Sequence, residues 1–189
     1  MKPSEADFYI GLDLGQKRDF STIAILEKRS GPVRGYHLRH LERIKLNTAY
    51  PAVAQRAQIL VGMAACYGPT QLVVDLTGVG APVFDLLQAA GVDAVAITIT
   101  GGHSVSGPRE HLRVPKRVLV GTLAALFAAG RLKIAAGIPH AAELIKELEN
   151  FQVMINCRTR QESYGAKGGR KHDDLVLALA LAAFYAERM

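Results

Sequence analysis

The first part of the chain contains three segments with the pattern of half-buried strands. Residues 7–14 alternate loosely between apolar and polar side chains and are rich in strand-forming residues. Residues 21–27 and 33–44 follow after polar turns that contain glycine, at 15–19 and at Gly31-Pro32. Strands that follow one another after such short turns pair in an antiparallel way. The pattern therefore predicts an antiparallel three-strand meander.

From residue 50 onward the pattern changes to helices alternating with short apolar runs. Helices are predicted over 50–66, 82–90, 116–129, 139–149 and 173–187, and strands over 71–76, 92–98, 132–134 and 151–157. Polar loops rich in glycine are predicted over 101–113 and from the end of the last strand to Lys171. Alternation of strands and helices implies parallel pairing. We therefore expect one α/β domain over 1–189, in which a mixed sheet, the meander followed by parallel strands, is flanked by helices.

The composition is that of a globular chain. Hydrophobic residues make up 49% of the 189, enough to bury a core without disulfides. The two cysteines, Cys66 and Cys157, have no zinc-ligand spacing and are interpreted as ordinary buried thiols of a reducing compartment. No signal segment opens the chain, and its longest uncharged apolar stretch, 175–186, is too short to span a bilayer. We expect a soluble, cytoplasmic protein with no membrane partner.

Carboxylates stand at the edges of three apolar segments. Asp13 lies between Leu12 and Leu14, Asp75 ends the run LVVD, and Asp173 and Asp174 open the most apolar helix. A buried carboxylate is costly unless something compensates its charge. Each position also has an ordinary alternative. Asp13 can be a turn residue ahead of Gly15, Asp75 can cap the Thr77-Gly78 turn, and either residue of the pair can be a helix N-cap.

Taken together, the carboxylates favour a metal site over these separate alternatives. Carboxylates that repel one another need a cation, and hard oxygen ligands select Mg²⁺ or Mn²⁺. Two such ions roughly 4 Å apart can stabilise both the attacking and the leaving oxygen of a phosphodiester cleavage. The acids therefore predict a metal-dependent nuclease, with Asp13, Asp75, Asp173 and Asp174 as its catalytic ligands.

The location of basic residues supports a polyanionic partner more than the net charge of +6 does. A glycine-containing stretch just before the acidic pair is predicted to contact the DNA backbone through Arg158, Arg160, Lys167, Arg170 and Lys171. A solvated, mobile loop is the alternative. Lys116 is predicted to contact DNA as well, and it belongs to a second basic group with Arg109, His111, Arg113 and Arg117. His172 is a candidate for orienting water or carrying a proton, although a surface histidine is the simpler interpretation.

Three segments also match a known family in order and spacing. They are IGLDLGQKRDFSTIAIL, VVDLTGVGAPVFDLL and the terminal KHDDLVLALALAAF. The region between the second and third segments is also similar, with a predicted helix that begins at Lys116, then GRLKI, and then a helix that ends in ELENF. From about Asp7 to its end, the chain resembles the nuclease domain of the large subunit of viral, tailed-phage terminases. That domain belongs to the RNase H-like superfamily, so the resemblance implies an RNase H-like fold.

The resemblance also implies roles for particular residues. It makes Asp13 the first-strand metal ligand, Asp75 the acid that ends the central parallel strand, and Asp173 and Asp174 the pair that opens the last helix. Asp19 matches a further acid, after the first strand, that can approach the second metal in some members of the family. The implied activity is endonucleolytic cutting of double-stranded DNA during genome packaging in the host cytoplasm, with two Mg²⁺ or Mn²⁺ ions when DNA is bound. The implied partners are DNA, a motor ATPase domain, the portal and the small terminase subunit.

Several alternatives remain open. No GxxxxGK[ST] sequence is present, so we expect an isolated nuclease domain without the packaging ATPase. A Holliday-junction-resolvase-like nuclease would share the acidic site. A sugar-kinase or actin-like ATPase is suggested by GLDLGQKRDFSTIAIL alone. A non-catalytic DNA-binding module of the same fold is the remaining alternative.

Overall fold

A seven-stranded mixed sheet with helices on both faces forms the centre of the molecule. The computed structural model describes residues 6–15, 19–31, 35–156 and 173–189. The strands are β1 (Ala6–Asp13), β2 (Ser21–Arg29), β3 (Gly35–Ile44), β4 (Thr70–Asp75), β5 (Ala94–Thr100), β6 (His111–Pro115) and β7 (Leu132–Ile134). The helices are α1 (Tyr50–Ala65), α2 (Gly80–Ala89), α3 (Lys116–Ala128), α4 (Ala141–Asn156) and α5 (Asp174–Arg188). No helix in these ranges is long and apolar enough to cross a membrane.

The strand order confirms the predicted mixed sheet. It runs β6-β5-β4-β1-β2-β3-β7. β1, β2 and β3 pair antiparallel, as a meander requires. β4 returns to pair parallel with β1, and β5 and β6 extend the sheet with parallel pairs. β1 therefore lies at the centre of the sheet, and the carboxyl ends of β1 and β4 lie side by side.

The alternation of side chains in the strands divides the core between two layers. Ile10 and Leu12 of β1 face α1 and α2 in one buried cluster. Tyr9 faces the opposite way, into a larger cluster that contains α3 and α5. Residues of α5 from Asp174 to Ala186 are all buried. This explains why that helix is apolar on every side.

A glycine lets α5 lie directly on the central strand. A Cβ atom at Gly11 would stand 1.9 Å from the carbonyl oxygen of Ala178 and 2.9 Å from its carbonyl carbon. No side chain can occupy that space, so only glycine permits this separation of strand and helix. The contact sets the height of α5 above the sheet, and with it the position of the acids at the start of the helix.

Two predictions about secondary structure were wrong. The predicted loop over 101–113 runs into β6, whose pairing with β5 completes that edge of the sheet. The strand predicted over 151–157 is instead helical to Asn156, because α4 continues beyond residue 149. The five residues of β6 are too few to show a period after a polar loop, and the short apolar run after residue 149 continues a helix as readily as it forms a strand. The interpretation of Cys66 as a buried thiol was also wrong, because that residue is exposed.

Candidate metal and nucleic-acid site

A row of polar side chains crosses four strands on the face that α5 covers. Asp13 pairs with Thr22 of β2, and Thr22 pairs with Arg43 of β3. Asp75 joins the row from the other side, one residue beyond the parallel pair of Leu12 and Val74. Residues paired across strands point to the same face of a sheet. Register therefore places Asp75, Asp13, Thr22 and Arg43 in line, at the point where β1 and β4 end.

Helix α5 begins above this row and brings the acidic pair to it. Asp174 is its first residue, and Asp173 occupies the N-cap position. A cavity of about 270 Å³ opens between the row and the helix. It is lined by Asp13, Leu14, Gly15, Asp19, Thr77, Gly78, Val79, Asp173, Asp174 and Leu177. Four of the five predicted acids thus border one cavity.

Asp13 lies at the centre of this charge cluster. Asp13 is buried, with 8% of its surface exposed. Burial, followed by the negative charges of Asp75, Asp174 and Asp173, raises the pKa of Asp13 well above its ordinary value, and only Lys116 opposes the shift. A raised pKa means that the folded protein resists placing a negative charge here. The acids therefore converge closely enough to repel one another.

Asp75 is buried, and its carboxylate also holds the turn that follows β4. Its Oδ1 accepts a hydrogen bond of 2.8 Å from the backbone N–H of Thr77. Burial raises the pKa of Asp75, while hydrogen bonds from Thr77 lower it. The capping alternative is therefore part of its role, and that bond occupies one carboxylate oxygen. Gly80 serves the same turn, since a Cβ there would lie 2.0 Å from the Asp75 carbonyl oxygen.

Asp173 faces a cation instead of capping its helix. No side-chain capping bond is made at this N-cap position. Lys116, the first residue of α3, donates from Nζ to Asp173 Oδ2 at 2.5 Å. The Lys116 side chain is 20% exposed, so its charge acts in a partly desolvated place. Lys116 was predicted to contact DNA. In this structure it pairs with Asp173.

Asp174 is bound by neighbours that the sequence did not point to. Its Oδ2 accepts from Thr22 Oγ1 and from Arg43 Nε, both at 2.7 Å. Arg43 Nη2 also reaches Asp174 Oδ1 at 3.2 Å and Glu147 Oε1 at 2.5 Å. Burial, and next the charge of Asp174, raise the pKa of Glu147 to about 7. Asp174 thus belongs to a buried ionic network behind the cavity.

A weak sequence signal for this network exists. Alternation in β3 places Arg43 on the same face as Leu41, which is 1% exposed. Glu147 lies three residues after the fully buried Leu144, on the buried stripe of α4. A charge inside an apolar pattern is unusual. Without knowing which elements pack together, that signal does not identify a partner.

The donor set suits a divalent cation by its chemistry. The acids are hard oxygen donors, three of them are buried, and after burial the charges of the other acids contribute to the raised pKa of Asp13. Within the described part of the chain, no three His, Cys, Asp or Glu side chains already stand in a ligating arrangement. The contacts above explain this, because Thr77, Lys116 and Arg43 each engage one of the carboxylates. An ion would compete first with Lys116.

Other predicted contacts lie apart from the cavity or outside the described residues. Arg158, Arg160, Lys167, Arg170, Lys171 and His172 fall in the segment that is not described. In the second basic group, Arg109 donates to the Tyr185 hydroxyl near the far end of α5, and Arg117 donates to the His103 carbonyl oxygen. Of that group, Lys116 is the residue that contacts the acids.

The chain matches a known family over most of its length. Residues 10–186 match the family model described as the terminase RNaseH-like domain. The large subunit of terminase from Thermus phage G20c is 28% identical over 177 residues, covering 93% of this chain and 31% of that protein. The corresponding subunit of Thermus virus P23-45 matches equally, at 28%. The chain therefore spans about a third of the length of the curated relatives that it matches.

Solved structures give the same picture of the fold. The large terminase nuclease from thermophilic phage G20c, crystallised with bound zinc, superposes with a TM-score of 0.61 at 25% identity. That superposition covers 94% of this chain and 80% of the other. The manganese-soaked terminase nuclease domain of human cytomegalovirus gives a TM-score of 0.60 at 13% identity, with 94% and 81% covered. At that identity the second likeness concerns the fold alone.

Proposed function

This chain belongs to the terminase RNase H-like domain family, and from that premise we propose that it is a metal-dependent endonuclease that cuts double-stranded DNA. The observation that carries the proposal is the convergence of Asp13, Asp75, Asp173 and Asp174 at one sheet edge. Placing four acids together, three of them buried, is costly unless a cation serves a purpose there. Asp19, which borders the same cavity, is included as a further ligand of a second ion.

The acids would hold Mg²⁺ or Mn²⁺ with distinct contributions. Asp13 and Asp75 project from adjacent ends of a rigid sheet, so their spacing is fixed by backbone pairing. Asp173 and Asp174 come from the start of α5, which is fixed in height by Gly11. Two divalent ions in such a site would supply charge stabilisation for the attacking and leaving oxygens of the cleaved phosphodiester.

Basic residues that are close to the acids in space or in sequence would bind DNA. Lys116 stands at the edge of the cluster and, once released from Asp173, would present its ammonium group to a phosphate. The stretch with Arg158, Arg160, Lys167, Arg170 and Lys171 directly precedes the acids in sequence and would contact the DNA backbone. Such contacts carry no base specificity. His172 is included as a residue that would orient water.

The wider setting is part of the proposal. The relatives are named as terminase large subunits. On that resemblance, the domain would act with a motor ATPase domain, the portal and the small terminase subunit in the host cytoplasm.

Plasmid cleavage tests the proposal. The protein is incubated with supercoiled plasmid in Mg²⁺, in Mn²⁺ and in EDTA, and nicked and linear products are measured. Cleavage is expected with the ions and is lost in EDTA. Asp13→Ala and Asp75→Ala should abolish it, while Asp85→Ala, at an exposed position on α2, serves as the matched control. Undiminished cutting by either site variant contradicts the assignment. Preference for a four-way junction over linear duplex would favour the resolvase alternative.

A further inference from the structure

Behind the acidic cavity, one arginine joins three elements of the fold. Arg43 of β3 donates from Nε to Asp174 of α5 at 2.7 Å, and from Nη2 to Glu147 of α4 at 2.5 Å. The side chains of Arg43, Asp174 and Glu147 are 15%, 5% and 9% exposed. The Phe20 ring covers the guanidinium, with its centroid 5.2 Å from Cζ.

Two further bonds tie this group to the first turn of α5. Thr22 Oγ1 donates to Asp174 Oδ2 at 2.7 Å from a fully buried position on β2. Glu147 Oε2 accepts from the backbone N–H of Val176 at 3.2 Å, which satisfies a donor at the helix start that has no partner within the helix. Arg43 and Glu147 therefore fix both a side chain of α5 and its backbone.

A contribution to the free energy of unfolding does not by itself explain why a buried ionic group joins these elements. Two buried carboxylates share one guanidinium, and removing charges from water costs about as much as their attraction returns. Apolar side chains of similar volume would hold α4, α5 and β3 together as well. A charged, planar guanidinium additionally fixes the orientation of a carboxylate, because its paired N–H groups bond to the carboxylate oxygens in a defined geometry.

We propose that Arg43 is a positioning residue of the metal site. With Thr22 it sets the rotation of the Asp174 carboxylate, and with Glu147 it holds the first turn of α5 so that Asp173 faces Asp13. Residues behind metal ligands commonly orient them in this way. The inference rests on the proposed metal-dependent function and adds a residue to it that touches neither ion nor DNA.

Arg43→Lys is the principal test, since it keeps the charge and removes the fork. Arg56→Lys is the matched control. Arg56 also makes forked contacts to a carboxylate, that of Glu42, but its side chain is 40% exposed and the pair does not border the acidic cavity. Mn²⁺ affinity is measured by calorimetry without DNA, kcat and KM are measured with a duplex substrate, and Tm is followed by circular dichroism.

Arg43→Lys is expected to weaken Mn²⁺ binding and to lower kcat by about 10–100-fold each, with KM changed little. Arg56→Lys should stay close to wild type in all three measurements. Glu147→Gln, which cannot serve Arg43 and Val176 with two carboxylate oxygens, should fall between the two. A lowered Tm with unchanged Mn²⁺ affinity in Arg43→Lys would reveal a structural role only and overturn the inference.

Equal behaviour of Arg43→Lys and Arg56→Lys would also overturn it. If Arg43→Lys does not fold, Thr22→Val removes one orienting bond to Asp174 while keeping the side-chain shape, and unchanged Mn²⁺ affinity there rejects the inference. A wild-type protein that neither binds Mn²⁺ nor cuts DNA refutes the proposed function itself, and with it this inference. An active wild type with a normal Arg43→Lys variant refutes the inference alone.

Discussion

Gly11 offers a direct test of how the fold sets the acidic site. Replacing it by alanine puts a methyl group where the Ala178 carbonyl oxygen of α5 now lies, 1.9 Å from the ideal Cβ position. Non-bonded carbon and oxygen atoms rarely approach closer than about 3.3 Å. Both atoms in conflict belong to backbone-anchored groups, so no side chain can rotate away. Helix α5 must move outward by roughly 1 Å or more.

Two consequences follow from that displacement. Overpacking of a core costs about 1–3 kcal/mol in the free energy of unfolding. For a chain of this size each kcal/mol lowers Tm by about 2–4 °C, so Gly11→Ala should lose roughly 2–12 °C. The start of α5 moves with the helix, and a misplacement of about 1 Å in a catalytic group can cost about 100-fold in rate. DNA cleavage should therefore fall by about two orders of magnitude.

The assay compares Gly11→Ala with Gly62→Ala. Gly62 lies on the exposed side of α1 with nothing within 4 Å of its ideal Cβ, so alanine there should raise stability by about 0.5–1 kcal/mol. Tm and plasmid cleavage are measured for both variants below the lower Tm. A Gly11→Ala protein that retains wild-type Tm and cleavage would refute the claim that α5 must lie this close to β1.

Three further predictions concern charge. In metal-free buffer Tm should fall as pH rises through the raised pKa of Asp13, because the folded state holds that proton more tightly than the unfolded chain does. Asp13→Asn should lack that part of the slope, and an identical slope in a thermal-melt series would contradict it. Lys116→Met should lower the metal-free Tm, because the positive charge that pairs with Asp173 is lost. It should also enlarge the increase in Tm on adding Mn²⁺, because Lys116 no longer competes with the ion for Asp173. A Tm increase equal to that of wild type argues against this competition. The double variant Lys167→Ala, Arg170→Ala should weaken DNA binding more at low salt than at high salt, as measured by fluorescence anisotropy. An unchanged affinity at low salt would favour the alternative interpretation, a solvated loop without DNA contacts.

Much of the fold was predictable because its signals are local. The meander and the parallel strands follow from alternation, glycine turns and helical spacing, and the sheet confirms them. The strand β6 was missed because its five residues, HLRVP, are too few to show a period after a polar loop. The extension of α4 to Asn156 was missed for a related reason, since a short apolar run continues a helix as readily as it forms a strand.

The candidate site also contains residues that local sequence signals predict and residues that they do not. Asp13 and Asp75 stood out because each interrupts an apolar strand, and register alone brings strand ends together. Arg43 and Glu147 were missed because their meaning depends on which elements pack against β3 and α5. Asp75 caps a turn and Asp174 pairs with Arg43, so each carboxylate has a role in the fold beside its proposed role at the site. Sequence reasoning treated those roles as alternatives.

Anomalous diffraction from a crystal soaked in Mn²⁺ tests the central claim most directly. The acids converge, so peaks at the manganese edge are expected within ligand distance of Asp13 and Asp75, with Asp173 or Asp174 completing the set and Lys116 withdrawn from Asp173. A crystal that shows Lys116 still bound to Asp173 and no manganese among these carboxylates, from protein that cuts DNA in the same Mn²⁺ solution, would contradict the account.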